Sequence, residues 1–359
     1  MTTGVFMREF KRILVTKLRH HGDVLLSSPI FTTLRRYYPN AQIDVIVYAE
    51  TADMLTLHPA IDNVLIIDRK WKDLGLWGHI KKEIALIRHI RNQRYSLILH
   101  LTESMRGFWF AQFGNIPTGV TFENDNRKKL FFWRKRFQKQ VKRMLHRHTV
   151  ESHLDTLRVL GLQPTMEERK LVLVAGESAQ FSVTEKLTAA GWNNQPYVVV
   201  HPTSRWMFKC WNVDDVAATM AHLYAQGKTV VLSAAPSKAE MSMVNELCAN
   251  IQSPFINLAG CLSLKELSAL IENAEMLFGV DSVPMHIAAA MQTPVVAIFG
   301  PTGDKEWGPW MVKSKVVSST KHPCRPCGQA GCANSHVCDC LVQLPRSQVI
   351  EAINSIQVD

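Results

Sequence analysis

The chain has 359 residues, long enough for two domains that each bury a core. Apolar residues are 47% and charged residues 20%, the balance of an ordinary globular protein, and no apolar run reaches the ~18–20 residues of a membrane span, so a membrane-spanning chain is excluded. The net charge of +10 is concentrated: ten of the 41 bases and no acid lie between Arg127 and His148, and the remaining 31 bases match the 31 acids. The opening residues, MTTGVFMREFKR, hold no apolar run followed by a small-residue cleavage site, so a cytoplasmic protein without a secretory signal is expected.

In chain order, RILVTKL (Arg12–Leu18) reads as a strand and Val24–Tyr38 as a helix, with Gly22-Asp23 at the sharp turn between them. AQIDVIVYA (Ala41–Ala49) leads to a short helix before Pro59, and NVLIID (Asn63–Asp68) to the amphipathic stretch Trp77–Arg94. YSLILHL (Tyr95–Leu101) leads to a helix over Met105–Phe113, and TGVTF (Thr118–Phe122) to the basic segment. Short β-branched runs alternating with helical patterns predict βαβ units on a parallel sheet. In the basic segment Phe131, Phe132, Trp133 and Phe137 interleave with the charge. That suits an anionic surface, either phosphorylated lipid headgroups or nucleic acid; a solvated helix face with a few core aromatics is the alternative.

The second half repeats the scheme. Strands are expected at Tyr197–Pro202, Thr229–Ala235, Phe255–Gly260, Met276–Val280 and Pro294–Thr302. Helices are expected at Val213–Gln226, Ala239–Ala249, Leu264–Asn273, Val283–Met291 and Ser347–Ile356. The expected domains are residues 1–185 and 196–345, joined near Ala189–Pro196, which is rich in Gly, Asn and Pro. The last helix, within 346–359, is expected to pack back on the first domain. Ligands of such sheets sit outside the carboxyl ends of the strands, so the cleft between the halves is the natural site. No G-x-G-x-x-G or G-x-x-x-x-G-K-[ST] follows a strand, which weakens dinucleotide redox chemistry and P-loop hydrolysis.

Three stretches carry chemistry. In FGVDSVPMH, Asp281 and Ser282 stand where a strand becomes a helix, Pro284 is near the first helical position and His286 is on the first turn. Unpaired N–H groups and the helix dipole make such a start an anion site; a plain cap is the other reading of Asp281 and Ser282. In HPTSRWMFKCW, Thr203 and Ser204 offer hydroxyls and Arg205 and Lys209 offer charge, a set suited to a diphosphate. Asp23 lies in the first half, also just past a strand, where it either caps the helix or acts as a general base on an acceptor hydroxyl. Five Cys cluster near the end of the chain, and Cys324, Cys327, Cys332 and Cys338 (C-x2-C-x4-C-x5-C) could encircle a structural metal or sit in a metal-free loop.

KLRHHGDVLLSSP together with DSVPMHIAAAMQTPVVAIFGPT resembles glycosyltransferase family 9, the lipopolysaccharide heptosyltransferases, through both halves of the chain. The resemblance implies the α/β GT-B fold, two Rossmann-like domains facing across a cleft. It also implies an ADP-L-glycero-D-manno-heptose donor, inversion at the anomeric carbon and no catalytic metal or other cofactor. It puts the catalytic acid of the Gly-Asp pair on Asp23, the donor lysine on Lys209 and the donor hydroxyls on Thr203 and Ser204. The family's signature falls on Asp281, Ser282 and His286, with Val283 where Gly is usual, and Glu240 corresponds to an acid near the donor ribose. HPCRPCGQAGC is most similar to members that add a branch heptose to the inner core. The implied acceptor is the phosphorylated lipopolysaccharide core at the cytoplasmic face of the inner membrane. This gives Arg127, Lys128, Lys129, Arg134, Lys135 and Arg136 an acceptor or membrane contact. Rival readings are a GT-B nucleotide-sugar epimerase and a non-catalytic protein that binds an anionic surface or nucleic acid, though no nucleic-acid module is visible.

Overall fold

The computed structural model describes residues 9–127 and 129–358, so Lys128 lies outside the described residues. The chain divides into two compact units, one through Val172 and one from Leu173. Each is the doubly wound parallel sheet of the GT-B class.

The first unit is built on β1 (Arg12–Thr16), α1 (His21–Leu25), α2 (Ser28–Tyr37), β2 (Gln42–Tyr48) and β3 (Asn63–Ile67). It continues with α3 (Gly75–Gln93), β4 (Leu97–His100), α4 (Met105–Phe113), β5 (Thr118–Phe122), α5 (Phe131–Arg136), β6 (Lys139–Val141) and α6 (Thr149–Arg158). The six strands are parallel in the order β3-β2-β1-β4-β5-β6. The strands flanking the sheet centre are covered on both faces, which is why they read as continuous apolar runs. Strand order reverses between β1 and β4, so a crevice opens at their carboxyl ends, where Lys17 and Leu101 follow the strands.

Two expectations for this unit are corrected. The single helix over Val24–Tyr38 is two helices, because Pro29 cannot donate to Leu25 O and the Ser27 hydroxyl donates to Val24 O at 2.6 Å instead. The chain also turns helical at His21, so Gly22 and Asp23 sit inside the first helical turn rather than before it. Among the described residues of the basic segment, α5 is the helical part, and β6 then joins the sheet beside β5. A three-residue edge strand of Lys, Gln and Val carries too little pattern to be seen locally.

The second unit comprises α7 (Glu177–Ala189), β7 (Tyr197–His201), α8 (Val213–Ala225), β8 (Thr229–Leu232), α9 (Lys238–Asn250), β9 (Ile256–Asn257) and α10 (Leu264–Glu272). It ends with β10 (Met276–Val280), α11 (Val283–Met291), β11 (Val295–Phe299), α12 (Asp304–Trp307), β12 (Ser314–Ser318), α13 (Asp339–Val342) and α14 (Arg346–Val358). Its sheet order is β12-β11-β10-β7-β8-β9, with the reversal between β7 and β10. Gly279 is needed there: a Cβ would stand 2.6 Å from His201 O on the neighbouring strand.

The domain limits shift accordingly. Residues 177–185, expected in the first domain, belong to α7 and the second unit. Ala179, Val183 and Leu187 are buried, and Lys186 and Ser182 reach Glu266 of α10 at 2.6 and 2.5 Å. The helix after residue 345 also belongs to the second unit: α14 packs on α8, β11 and β12, and Val349, Ile353 and Ile356 complete that core. Its apolar stripe is used there.

Candidate active site

In the first unit, Lys17 leaves β1 with its side chain 3% exposed. A buried ammonium needs partners on every side. Its Nζ is 3.4 Å from Asp23 Oδ1, 3.0 Å from His153 Nε2 on α6, and donates to Leu101 O at 3.4 Å. His153 Nδ1 lies 3.0 Å from Leu26 O, the carbonyl left open by the break between α1 and α2. A carbonyl only accepts, so Nδ1 carries the proton and Nε2 receives the ammonium. Burial holds His153 well below the usual imidazole range, with Lys17 acting in the same direction. Burial also pushes Lys17 down to about 8, with Asp23 working against it. Asp23 keeps its side chain 21% exposed at the sheet's carboxyl edge. It does not cap α1: the N-cap is His20, which makes no side-chain cap bond. The result is a partly exposed carboxylate held from below by a buried cation.

In the second unit, two clusters form past the carboxyl ends of β7 and β10. In one, Lys209 Nζ lies 2.7 Å from Asp281 Oδ2, and the Thr302 hydroxyl donates to the same oxygen. Ser282, not Asp281, is the N-cap of α11, and among the described residues its buried hydroxyl has no hydrogen-bond partner. His286 is buried on the first turn of the same helix. In the other cluster, Glu240 is buried on α9 and accepts from Thr203 Oγ1 at 2.7 Å, Ala235 N at 3.3 Å and Ser237 Oγ at 3.1 Å. Ser204 is buried and accepts from Trp206 N, while Arg205 is exposed against Trp206. The four residues expected to cradle one diphosphate are therefore divided: Thr203 is tied to Glu240, and Lys209 to Asp281. Sequence reasoning missed Lys17, His153 and Thr302. Lys17, a lysine just past the buried apolar run Ile13-Leu14-Val15, carried a local signal; His153, 136 residues further on, carried none.

The family model for glycosyltransferase family 9 (heptosyltransferase) matches residues 84–338. The chain belongs to glycosyltransferase family 9. It is 34% identical over 294 residues to lipopolysaccharide heptosyltransferase 3 of Escherichia coli, covering 82% of this chain and 84% of that protein. Two solved structures share the fold. The family 9 glycosyl transferase of Veillonella parvula has a TM-score of 0.83 at 20% identity, covering 98% of this chain and 99% of that one. Escherichia coli ADP-heptose lps heptosyltransferase II has a TM-score of 0.75 at 21% identity, covering 97% and 98%.

Within this family 9 chain the basic segment has two roles. Trp133 and Phe137 are core residues, whereas Phe131 and Phe132 are exposed. Arg127 lies over Trp133 and donates to Glu103 O, Arg136 Nε donates to Gln112 Oε1 at 2.6 Å, and Arg143 pairs with Glu103 at 3.0 Å. Lys129, Arg134 and Lys135 are exposed. Of the two readings of the cysteine loop, the described residues do not assemble the candidate ligand set. Cys324, Cys327 and Cys332 are exposed, Cys338 is packed in the core, and burial pushes its thiol up to about 11. Among the described residues, no group of three or more His, Cys, Asp or Glu is arranged to hold a metal ion.

Proposed function

We propose that this family 9 enzyme transfers L-glycero-D-manno-heptose from ADP-heptose to a heptose of the lipopolysaccharide inner core, with inversion at the anomeric carbon. The acceptor oxygen attacks C1 as Asp23 takes its proton, and the C1–O bond to the diphosphate breaks, releasing ADP. Lys209 and the N–H groups that open α11 offset the charge that grows on the diphosphate. Thr203, Ser204 and Glu240 order the turns after β7 and β8 that flank the nucleoside. Lys17 pairs with Asp23 and aims it. The acceptor is a phosphorylated glycolipid met at the cytoplasmic face of the inner membrane.

The observation that carries this reading is the Lys209–Asp281 pair beside a buried Ser282 hydroxyl at the head of a nine-residue helix. A cation, a helix N-terminus and an open polar atom in one place suit a leaving diphosphate. The 34% identity to a lipopolysaccharide heptosyltransferase supports the sugar and the acceptor class.

The test is ADP release from ADP-heptose with and without heptose-bearing core lipopolysaccharide. Release is expected only with acceptor, and Asp23→Ala is expected to lower it about 10²–10⁴-fold while donor still binds. Donor turnover without acceptor would mark an epimerase instead. Full activity in folded Asp23→Ala would remove the base.

A further inference from the structure

Helix α3 has nineteen residues and only Ile90 is fully buried. Its second half packs inward, where Leu86 and Ile87 meet the core. Its first half does not. Trp77, Ile80 and Ile84, spaced i, i+3 and i+7, form one stripe and are all exposed, Trp77 at 82%, with Leu76 at 71% beside them. An amphipathic helix normally buries such a stripe. Helix α4 packs beside α3, fixed by Arg106 to Glu83, and exposes Trp109 and Phe113, whose rings stack at 5.5 Å. Helix α5 packs beside α4 and adds exposed Phe131 (79%) and Phe132, the latter edge-on to Phe108.

The three helices cover the same face of the sheet, and each starts after the carboxyl end of a strand. The exposed Leu76, Trp77 and Phe131 therefore stand at the sheet edge that also carries Asp23. The charge around them is predominantly positive. Between Arg69 and Arg94 the sequence has eight bases and two acids, and the α5 region adds exposed Lys129, Arg134 and Lys135.

We infer that the starts of α3 and α5, with the exposed flank of α4 beside them, form a membrane-docking face, which lays Trp77, Leu76 and Phe131 into the headgroup layer of an anionic bilayer. This deepens the transferase reading and rests on it for the choice of a lipid-anchored acceptor. Large apolar side chains ringed by Lys and Arg match a bilayer in both respects: hydrocarbon beneath, negative headgroups above. A nucleic acid would use the bases and the aromatic faces, but leaves Leu76, Ile80 and Ile84 without a role.

The experiment is sedimentation of the full chain with vesicles of phosphatidylglycerol and phosphatidylethanolamine, and with phosphatidylcholine vesicles as the neutral control. Neither donor nor acceptor is present, so the outcome is independent of whether heptose is transferred. The wild type is expected to sediment with the anionic vesicles and to be released as salt rises. The double variant Trp77→Ser/Phe131→Ser is expected to bind at least tenfold more weakly. Circular dichroism matched to wild type and unchanged ADP release with a soluble, deacylated core oligosaccharide would show the variant folded and competent. Equal sedimentation of variant and wild type would overturn the inference. So would failure of the wild type to bind any vesicle, or binding of mixed RNA that the double substitution abolishes.

Discussion

Lys17→Met removes the charge beneath Asp23 and keeps an unbranched side chain one atom shorter. The cost of burying that charge follows from its titration, which moves from 10.5 to about 8 on folding. At ~1.36 kcal/mol per pH unit, the folded chain prefers the neutral amine by roughly 3 kcal/mol relative to the unfolded chain. The sign is fixed. Below pH 8 both states hold the proton and the full cost is present. Between 8 and 10.5 the folded state has released a proton that the unfolded state keeps, so stability rises with pH. Above 10.5 the cost is gone. Met has nothing to titrate. Urea unfolding of both proteins at pH 7, 8, 9 and 10, taken as a difference, cancels the other titrating groups. Wild type is expected to gain roughly 2–3 kcal/mol on the variant between pH 7 and 10. A difference constant across that range would refute the picture of a buried, charged Lys17. The same variant is expected to lose kcat at least tenfold with the donor KM unchanged, because Asp23 loses its hold while the second unit is untouched.

Two further outcomes follow from packing and exposure. Gly107→Ala on α4 would place a Cβ 2.2 Å from the His100 ring, which Thr16 holds at 2.6 Å and Ser104 O at 3.0 Å. A loss of about 1–3 kcal/mol is expected in chemical unfolding, and an unchanged midpoint would show that α4 can shift. A thiol reagent is expected to label Cys261, Cys324, Cys327 and Cys332 quickly in the native protein and Cys338 and Cys340 only on unfolding. Protection of Cys324, Cys327 and Cys332, reversed by a chelator, would reinstate a metal at the loop.

The alternation of strands and helices was legible because parallel strands covered on both faces leave unbroken apolar runs such as VIVY and VVAIF. The start of α11 was legible because Pro284 and Ser282 carry local helix-start chemistry. What escaped depends on contacts distant in sequence. The Gly- and Asn-rich stretch after Ala189 looked like the joint between halves, but α7 before it is bound to α10 by Lys186 and Ser182 on Glu266, some 80 residues away. Lys17 and His153 meet across 136 residues, and no periodicity of either segment announces the pair. Asp281 read as a cap because caps are local; its partner Lys209 lies on another loop. Which aromatics of the basic segment are core, as Trp133, and which exposed, as Phe131, escaped because composition averages over both.

The assignment of α14 to the second unit bears on biosynthesis. Everything the first unit needs is contiguous and has left the ribosome once Val172 emerges, so it can fold while translation continues. The second unit cannot. Val349, Ile353 and Ile356 fill the layer against α8, β11 and β12, and until they emerge that sheet keeps an apolar flank open to water. Synthesis therefore makes a nascent intermediate with one finished half and one sticky half. A ribosome stalled before residue 346 would hold a chain that chaperones and proteases recognise, however sound its first half.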